Sequence, residues 1–227
     1  MKNYIEKDLV IFGVGKLSKI ISSYFQKYTE YKIVAYIDNY NKKHNYIDKQ
    51  SIVLSPTEFL ENYSPDKYIM FIAVGYSEMN KVRTKLYTKY KKLGYSFVNF
   101  IHPNVEWWDD SNIGENSFIF ENNVVQQNVS IGNNVIMWSG NHIGHDARIG
   151  DNVWITSHVV VYSNVNINNN CFIGSNANLR DGISIGYQNF IGAGTNIWSS
   201  TKDFSVFAVE PSKPLTVKSD KISSLLV

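Results

Sequence analysis

The stretch NHIGHDARIGDNVWI, Asn141 to Ile155, places two histidines three residues apart, His142 and His145, and follows the second with Asp146. Imidazole titrates near neutral pH, so a histidine can take a proton from an attacking amine or hydroxyl and later pass it on. A neighbouring carboxylate stabilises the imidazolium and makes the ring a better base. Proton transfer, metal ligation and plain surface polarity are all open to such residues. A zinc site from His142, His145 and His158 lacks the helical HExxH pattern. Cys171, the single cysteine, leaves neither a cysteine cluster nor an internal disulfide framework. It falls at an inward position and reads as a small core residue. His142 takes either a structural or a substrate-positioning role, and His158, in SHVVV, either is structural or lines a groove.

The elements around these residues follow a six-residue period. Ile113, Ile119, Val125, Ile131, Met137, Ile143, Ile149, Ile155, Val161, Ile167, Ile173, Leu179, Ile185, Ile191 and Ile197 are all aliphatic or methionine, with no insertion. Four residues after most of them stands a small or β-branched residue, among them Val129, Ala147, Val153 and Ala177. Two inward positions per six residues, separated by a polar turn, describe short strands joined by bends. Gly114, Gly132, Gly150, Asn168 and Gly186 recur every eighteen residues after an isoleucine, and the spacing predicts positive φ there. Three strands per eighteen residues build a triangular prism of stacked parallel coils. Fifteen positions divided by three give five coils, about 24 Å tall at the strand spacing of a paired sheet. His145, two residues after Ile143, points away from that prism's core.

The first hundred residues have a different grammar. DLVIF (8–12), KIVAYI (32–37) and YIMFIAV (68–74) read as buried strands, and SFVNF as a last one. Helices are expected over 17–28, over 55–63 with Ser55 as cap and Glu58 three residues on, and over 77–95 with Gly94 as terminator. The pattern predicts a small Rossmann-like α/β domain over 1–102, followed by the coil domain with its tail over 103–227. Gly13 and Gly15 open a helix as in a phosphate-holding turn, although Ser18 stands where GxGxxG requires its third glycine. Asp38 ends the second strand as in dinucleotide folds. The two glycines, and Gly75 more so, would also be explained as tight turns.

Composition excludes several classes. The chain has 22 Lys+Arg against 20 Asp+Glu, a net charge of +2, which gives no broad footprint for nucleic acid or a membrane surface. No apolar run is long enough to span a bilayer, and the lead MKNYIEKDLVIFG lacks signal-peptide anatomy, so a cytoplasmic protein is expected.

In order and spacing, IFGVGKLSK, YIDN, FIAVGYSEMN, FVNFIHPNV, IGHDARIGDNVWI, CFIGSNANLRDGISIG and FIGAGT resemble the sialic-acid O-acetyltransferase-type (NeuD/PglD-like) sugar acyltransferases. The resemblance implies a left-handed parallel β-helix of hexapeptide repeats and a homotrimer with active sites between subunits. It implies acetyl-CoA as co-substrate, no metal, and His145 as general base with Asp146 tuning it. It places the nucleotide end of a nucleotide-linked amino sugar on Gly13, Gly15, Lys16, Asp38, Asn39 and Gly75, with His142 nearby. Coenzyme contacts fall to Trp154, Ser175 and Ala193, and a coenzyme phosphate to Lys213. The expected activity is N-acetylation of a nucleotide-linked amino-dideoxy sugar for surface glycans. O-acetylation of sialic acid or another sugar, and a non-catalytic nucleotide-sugar binder, are the competing readings.

Overall fold

The computed structural model describes residues 8–39 and 51–219; most of the charged lead, Met1 to Lys7, lies outside them. The N-terminal part is a five-stranded parallel sheet. Its strands are β1 (Asp8–Phe12), β2 (Ile33–Ile37), β3 (Val53–Leu54), β4 (Tyr68–Ile72) and β5 (Ser96–Phe97), in the order β3-β2-β1-β4-β5. The helices are α1 (Lys16–Tyr28), α2 (Pro56–Asn62) and α3 (Lys81–Lys92). Strand alternation divides the domain's core. Leu9, Ile11 and Phe71 face α1 residues Ile21 and Phe25, whereas Val10, Phe12, Met70 and Ile72 face Phe59 of α2 and Tyr90 of α3. Ser55 caps α2 as expected, in a full capping box with Glu58. Gly94, at φ +90, follows the end of α3.

From Phe100 the chain winds into the left-handed parallel β-helix of two-residue strands. Its first face holds Phe100–Ile101, Phe118–Ile119, Ile136–Met137, Trp154–Ile155, Phe172–Ile173, Phe190–Ile191 and Val206–Phe207. The second runs from Glu106–Trp107 through Val124–Val125, His142–Ile143, Val160–Val161 and Asn178–Leu179 to Asn196–Ile197. The third runs from Asn112–Ile113 through Arg148–Ile149 to Ser184–Ile185. Of the fifteen periodic residues, all but the partly covered Ile113 are buried in one column. Burying an isoleucine side chain contributes roughly 1.5–3 kcal/mol before entropy is counted.

Four features differ from the sequence reading. Among the described residues the prism's faces hold 7, 6 and 5 strands, eighteen in all, so the coils number six rather than five, the winding starting at Phe100 and reaching Phe207. SFVNF is not one strand. Ser96–Phe97 pairs with β4, whereas Phe100–Ile101 pairs with Phe118–Ile119 of the prism. Asn99 makes the crossing by donating to the Gly114 carbonyl (2.5 Å) and accepting from the Ser117 N–H (2.8 Å). Helix α3 begins at Lys81 rather than near 77, because Glu78, Met79 and Asn80 are all left-handed (φ 53, 54 and 64). The glycines after isoleucine do not supply positive φ. That conformation falls two residues later in each bend, on Asn116, Asn134, Asn152 and Asn170 at one edge, and on Asn128, Asp146 and Asn164 at another. Asn and Asp tolerate it better than other side chains. Gly114, Gly132 and Gly150 are instead required for closeness: a Cβ on Gly132 would lie 2.7 Å from the Gly150 carbonyl carbon and 2.8 Å from the Asp151 nitrogen.

The prism docks on the α/β domain through its first face. The outward residues Phe100, Phe118, Ile136, Trp154 and Phe172 are apolar and pack with Phe25, Phe71 and Ala73 in one cluster. Asn116 Oδ1 accepts from the Ile72 N–H at 2.8 Å, at the edge of β4 above the short β5. Tyr24 of α1 donates to Glu121 (2.8 Å), and Tyr87 of α3 donates to Glu115 (2.6 Å). No described helix is long and apolar enough to cross a membrane.

Gly132→Ala should therefore cost about 1–3 kcal/mol through overpacking against backbone. Urea unfolding is expected to show a lower midpoint with an unchanged slope.

Candidate active site

The backbone bend Gly144–Ala147 joins the second face to the third. Asp146 holds its left-handed site (φ 60), the place taken by Asn128 and Asn164 in adjacent coils. This turn brings Asp146 Oδ2 to 2.7 Å from Nδ1 of His145. The other oxygen, Oδ1, accepts from Asn128 Nδ2 at 2.5 Å. The hydrogen bond from His145 first, and that from Asn128 second, hold the Asp146 carboxyl below the usual carboxylate range. An ionised Asp146 can only accept, so Nδ1 carries the hydrogen, and in the neutral imidazole Nε2 would then present a lone pair. Gln126 Oε1 accepts from the His145 N–H at 3.0 Å and fixes the backbone of the pair from the coil below. His145 is 49% and Asp146 42% exposed by side chain, so a substrate can reach the ring. Gly144 keeps the neighbouring corner position free of a side chain; a Cβ there would meet the Ser163 nitrogen at 2.6 Å.

His142 lies on the flat second face between Val124 and Val160. Ser175 and Ala193 lie on the opposite edge of that face, one coil apart, with the Ser175 carbonyl accepting from the Gly194 N–H at 2.8 Å. Gly174 lets these coils close, since a Cβ on it would stand 2.4 Å from the Ala193 nitrogen. His158 shares the edge and covers Gly140, whose added Cβ would meet its Nδ1 at 2.6 Å. Trp154 is placed elsewhere: it is buried on the first face, against Tyr76 and beneath the Arg83 guanidinium. Lys213 is exposed in the tail. Among the described residues no three His, Cys, Asp or Glu side chains converge as a metal site would need. Burial raises the Cys171 thiol to about 12, which leaves it an inert core group.

The remaining expected residues gather at the carboxyl ends of β1, β2 and β4. Here neighbouring crossovers run in opposite directions, the usual place for a ligand crevice in an open α/β sheet. Gly13 (φ +120) has a structural reason, since a Cβ would sit 2.6 Å from the Ala73 carbonyl oxygen. Ser18 is buried and its hydroxyl donates back to the Gly13 carbonyl at 2.7 Å, closing the turn without a third glycine. Gly15 and Gly75 have nothing within 4 Å of a built Cβ, so space rather than strain surrounds them. Gly15 caps α1 without a side-chain hydrogen bond, and Lys16 is the first helical residue. Asp38 is buried at the end of β2, and Asn39 is exposed beside it. The sequence reading missed Gln126 and Asn128. Their signal was the eighteen-residue spacing, which sets Gln126 beneath Gly144 and Asn128 beneath Asp146.

A sequence-family profile described as PglD N-terminal domain matches residues 8–90, and one described as bacterial transferase hexapeptide (six repeats) matches residues 146–181. The acetyltransferase domain of PglB from Neisseria gonorrhoeae FA1090 is 25% identical over 92% of this chain and 100% of its own, with a TM-score of 0.79. The chain is an acetyltransferase that joins a PglD-type N-terminal domain to bacterial-transferase hexapeptide repeats. PerB from Caulobacter crescentus, solved with CoA and GDP-perosamine, shares the fold at 22% identity over 88% of this chain and 92% of its own, with a TM-score of 0.76. WeeI from Acinetobacter baumannii AYE does so at 21% identity over 92% and 100%, with a TM-score of 0.77. No curated protein sequence matches the chain.

The tautomer of this acetyltransferase's histidine is measurable without substrate. Long-range proton–nitrogen NMR of the imidazoles should show His145 with its hydrogen on Nδ1. In Asp146→Ala the hydrogen should move to Nε2; an unchanged pattern would detach Asp146 from the tautomer.

Proposed function

We propose that the chain transfers acetyl from acetyl-CoA to the amino group of a nucleotide-linked amino-dideoxy sugar used in surface-glycan synthesis. The observation that carries this reading is the His145–Asp146 pair, with Nδ1 held at 2.7 Å and the imidazole half-exposed. Further support comes from the PglB acetyltransferase domain, which has been solved with acetyl coenzyme A (24% identity, 92% of this chain and 100% of that one, TM-score 0.80). PerB binds CoA together with GDP-perosamine.

In this reaction the sugar amine attacks the thioester carbonyl carbon while His145 Nε2 takes its proton. The C–S bond then breaks, and the proton returns to the departing CoA sulfur. Asp146 keeps the ring in the accepting tautomer and stabilises the imidazolium. Ser175 and Ala193 lie across the second face from His145 within one chain. We therefore assign the pantetheine arm to that edge of one subunit and the base to a neighbouring subunit of a homotrimer. The nucleotide is assigned to the crevice at Gly13, Gly15, Lys16, Asp38, Asn39 and Gly75. The uncapped N-terminus of α1 favours phosphate there.

His145→Ala should lower kcat about 10²–10⁴-fold, the usual worth of a positioned base, with coenzyme affinity largely kept. Near-normal turnover of a nucleotide-linked amino sugar, read as thiol release, would overturn the assignment. Gly15→Asp separates a binding crevice from a mere turn. The carboxylate caps α1 and should leave stability equal or higher, by about 0.5–1 kcal/mol at most. It also opposes a phosphate, so calorimetry should show nucleotide-sugar affinity at least about tenfold weaker, one such step being about 1.4 kcal/mol. Unchanged affinity would leave the glycines with turn-making alone.

A further inference from the structure

The corner column that holds Gly144 beside the base continues, eighteen residues at a time, through Tyr162, Arg180 and Trp198. Trp198 therefore stands three coils above Gly144, about 14 Å at the spacing of paired strands. Tyr162 is 49% and Trp198 70% exposed, so the column leaves two large rings in water. With Asn178, Arg180, Asn196 and Ile197 they line a groove of about 230 Å³. Arg180 is exposed, and its Nη1 donates to the Trp198 carbonyl at 3.4 Å, which lifts the guanidinium to the Trp198 level. Among the described residues no carboxylate is in ion-pair contact with it.

This lining suits a purine that carries phosphate. An open indole face stacks on a base. A guanidinium without a carboxylate partner offers its fork to phosphate oxygens. Asn178 Nδ2 donates to Asn196 Oδ1 at 2.8 Å. That leaves one amide acceptor and one amide donor side by side. Adenine meets such a pair with its exocyclic amine and a ring nitrogen, whereas guanine presents two acceptors along its O6/N7 edge.

We propose that Arg180 and Trp198 select the donor, holding the 3′-phosphorylated adenosine end of acetyl-CoA in this groove; the inference rests on the acetyl-transfer reading above. The arm from the thioester sulfur to the diphosphate has about thirteen bonds. That equals about four extended residues, roughly 14 Å, the height from the base to Trp198. A threefold axis parallel to the prisms keeps heights unchanged between subunits. Ser175 and Ala193, in the same coils as Arg180 and Trp198, then stand level with them across the subunit boundary. The coenzyme phosphate thus falls to Arg180 rather than to Lys213 in the tail. A donor that offers only the pantetheine arm misses the groove.

The test is calorimetry on the full chain with adenosine 3′,5′-bisphosphate, which has neither arm nor thiol. It should bind and be displaced by acetyl-CoA, and guanosine 3′,5′-bisphosphate should bind at least about tenfold more weakly. Arg180→Met should weaken the adenosine probe about ten- to a hundredfold, and Trp198→Ala about five- to a hundredfold, with Trp198→Phe recovering most of the loss. In turnover the same variants should raise KM for acetyl-CoA and leave kcat, and KM for S-acetylpantetheine, unchanged; a merely structural role would move both donors together. Equal affinity for the two bisphosphates, or unchanged affinity in both variants, would overturn the proposal even where thiol release proves acetyl transfer. Selective binding of the adenosine probe, lost in both variants, in a chain that releases no thiol with any amino sugar would sink the transferase reading and keep the groove.

Discussion

A strand of two residues cannot hold itself, so everything from Phe100 onward in the prism depends on coils approaching to hydrogen-bonding distance. The bonds run from each coil to the next, as in Phe118 N–H to Val135 (2.8 Å) and Trp154 N–H to Cys171 (2.9 Å). Two local requirements follow from that closeness. Positions directly beneath another coil's backbone lose their Cβ, as at Gly114, Gly132 and Gly150. Most bends turn through a left-handed residue, which favours Asn, Asp or Gly, although His158, Gln188 and Phe204 take the same conformation. The isoleucine column fills the space these bends enclose, and deleting any rung would expose both neighbours.

The same constraint produces the chemistry. Asp146 occupies a bend position that asparagine could fill, as Asn128 and Asn164 do one coil away. The left-handed turn places its carboxylate at 2.7 Å from His145 Nδ1, and the asparagine beneath occupies its other oxygen. A corner substitution from amide to acid therefore converts a structural ladder into a histidine–carboxylate pair. Little dedicated architecture is needed, because the coil below already supplies Gln126 and Asn128 as supports.

Why part of this was readable and part was not follows from where each signal lives. The six-residue period is local and continuous, so the core column from Ile119 to Ile197 and the outward setting of His145 could be read directly. The capping box Ser55–Glu58 is equally local. The split of SFVNF was not readable, because Phe100 leaves the sheet for a partner, Phe118, that the chain reaches only after a full coil. The start of α3 was hidden for a similar reason. Residues 78–80 adopt left-handed backbone that carries Asn80 to a carbonyl at Cys171, a contact ninety-one residues away. For the glycines, the sequence marks the bend but does not tell steric need from dihedral need; only the next coil's backbone does.

Trp154 shows how one position can carry a different burden from its sequence neighbours. Positions 100, 118, 136, 154 and 172 are the outward residues of one face, and outward residues of a solvated β-helix would be polar. Here they read Phe, Phe, Ile, Trp and Phe, and they are buried against the α/β domain. That eighteen-residue apolar ladder is the mark of domain docking, laid over the six-residue mark of the core. The same docking explains why α1 and α3 can bind opposite edges of this face, α1 through Tyr24–Glu121 and α3 through Tyr87–Glu115. With both helices fixed, the crevice at Gly15 and Gly75 keeps one orientation relative to the second face of the prism. Within one chain the proposed nucleotide crevice and the His145 edge are therefore joined through these packed contacts.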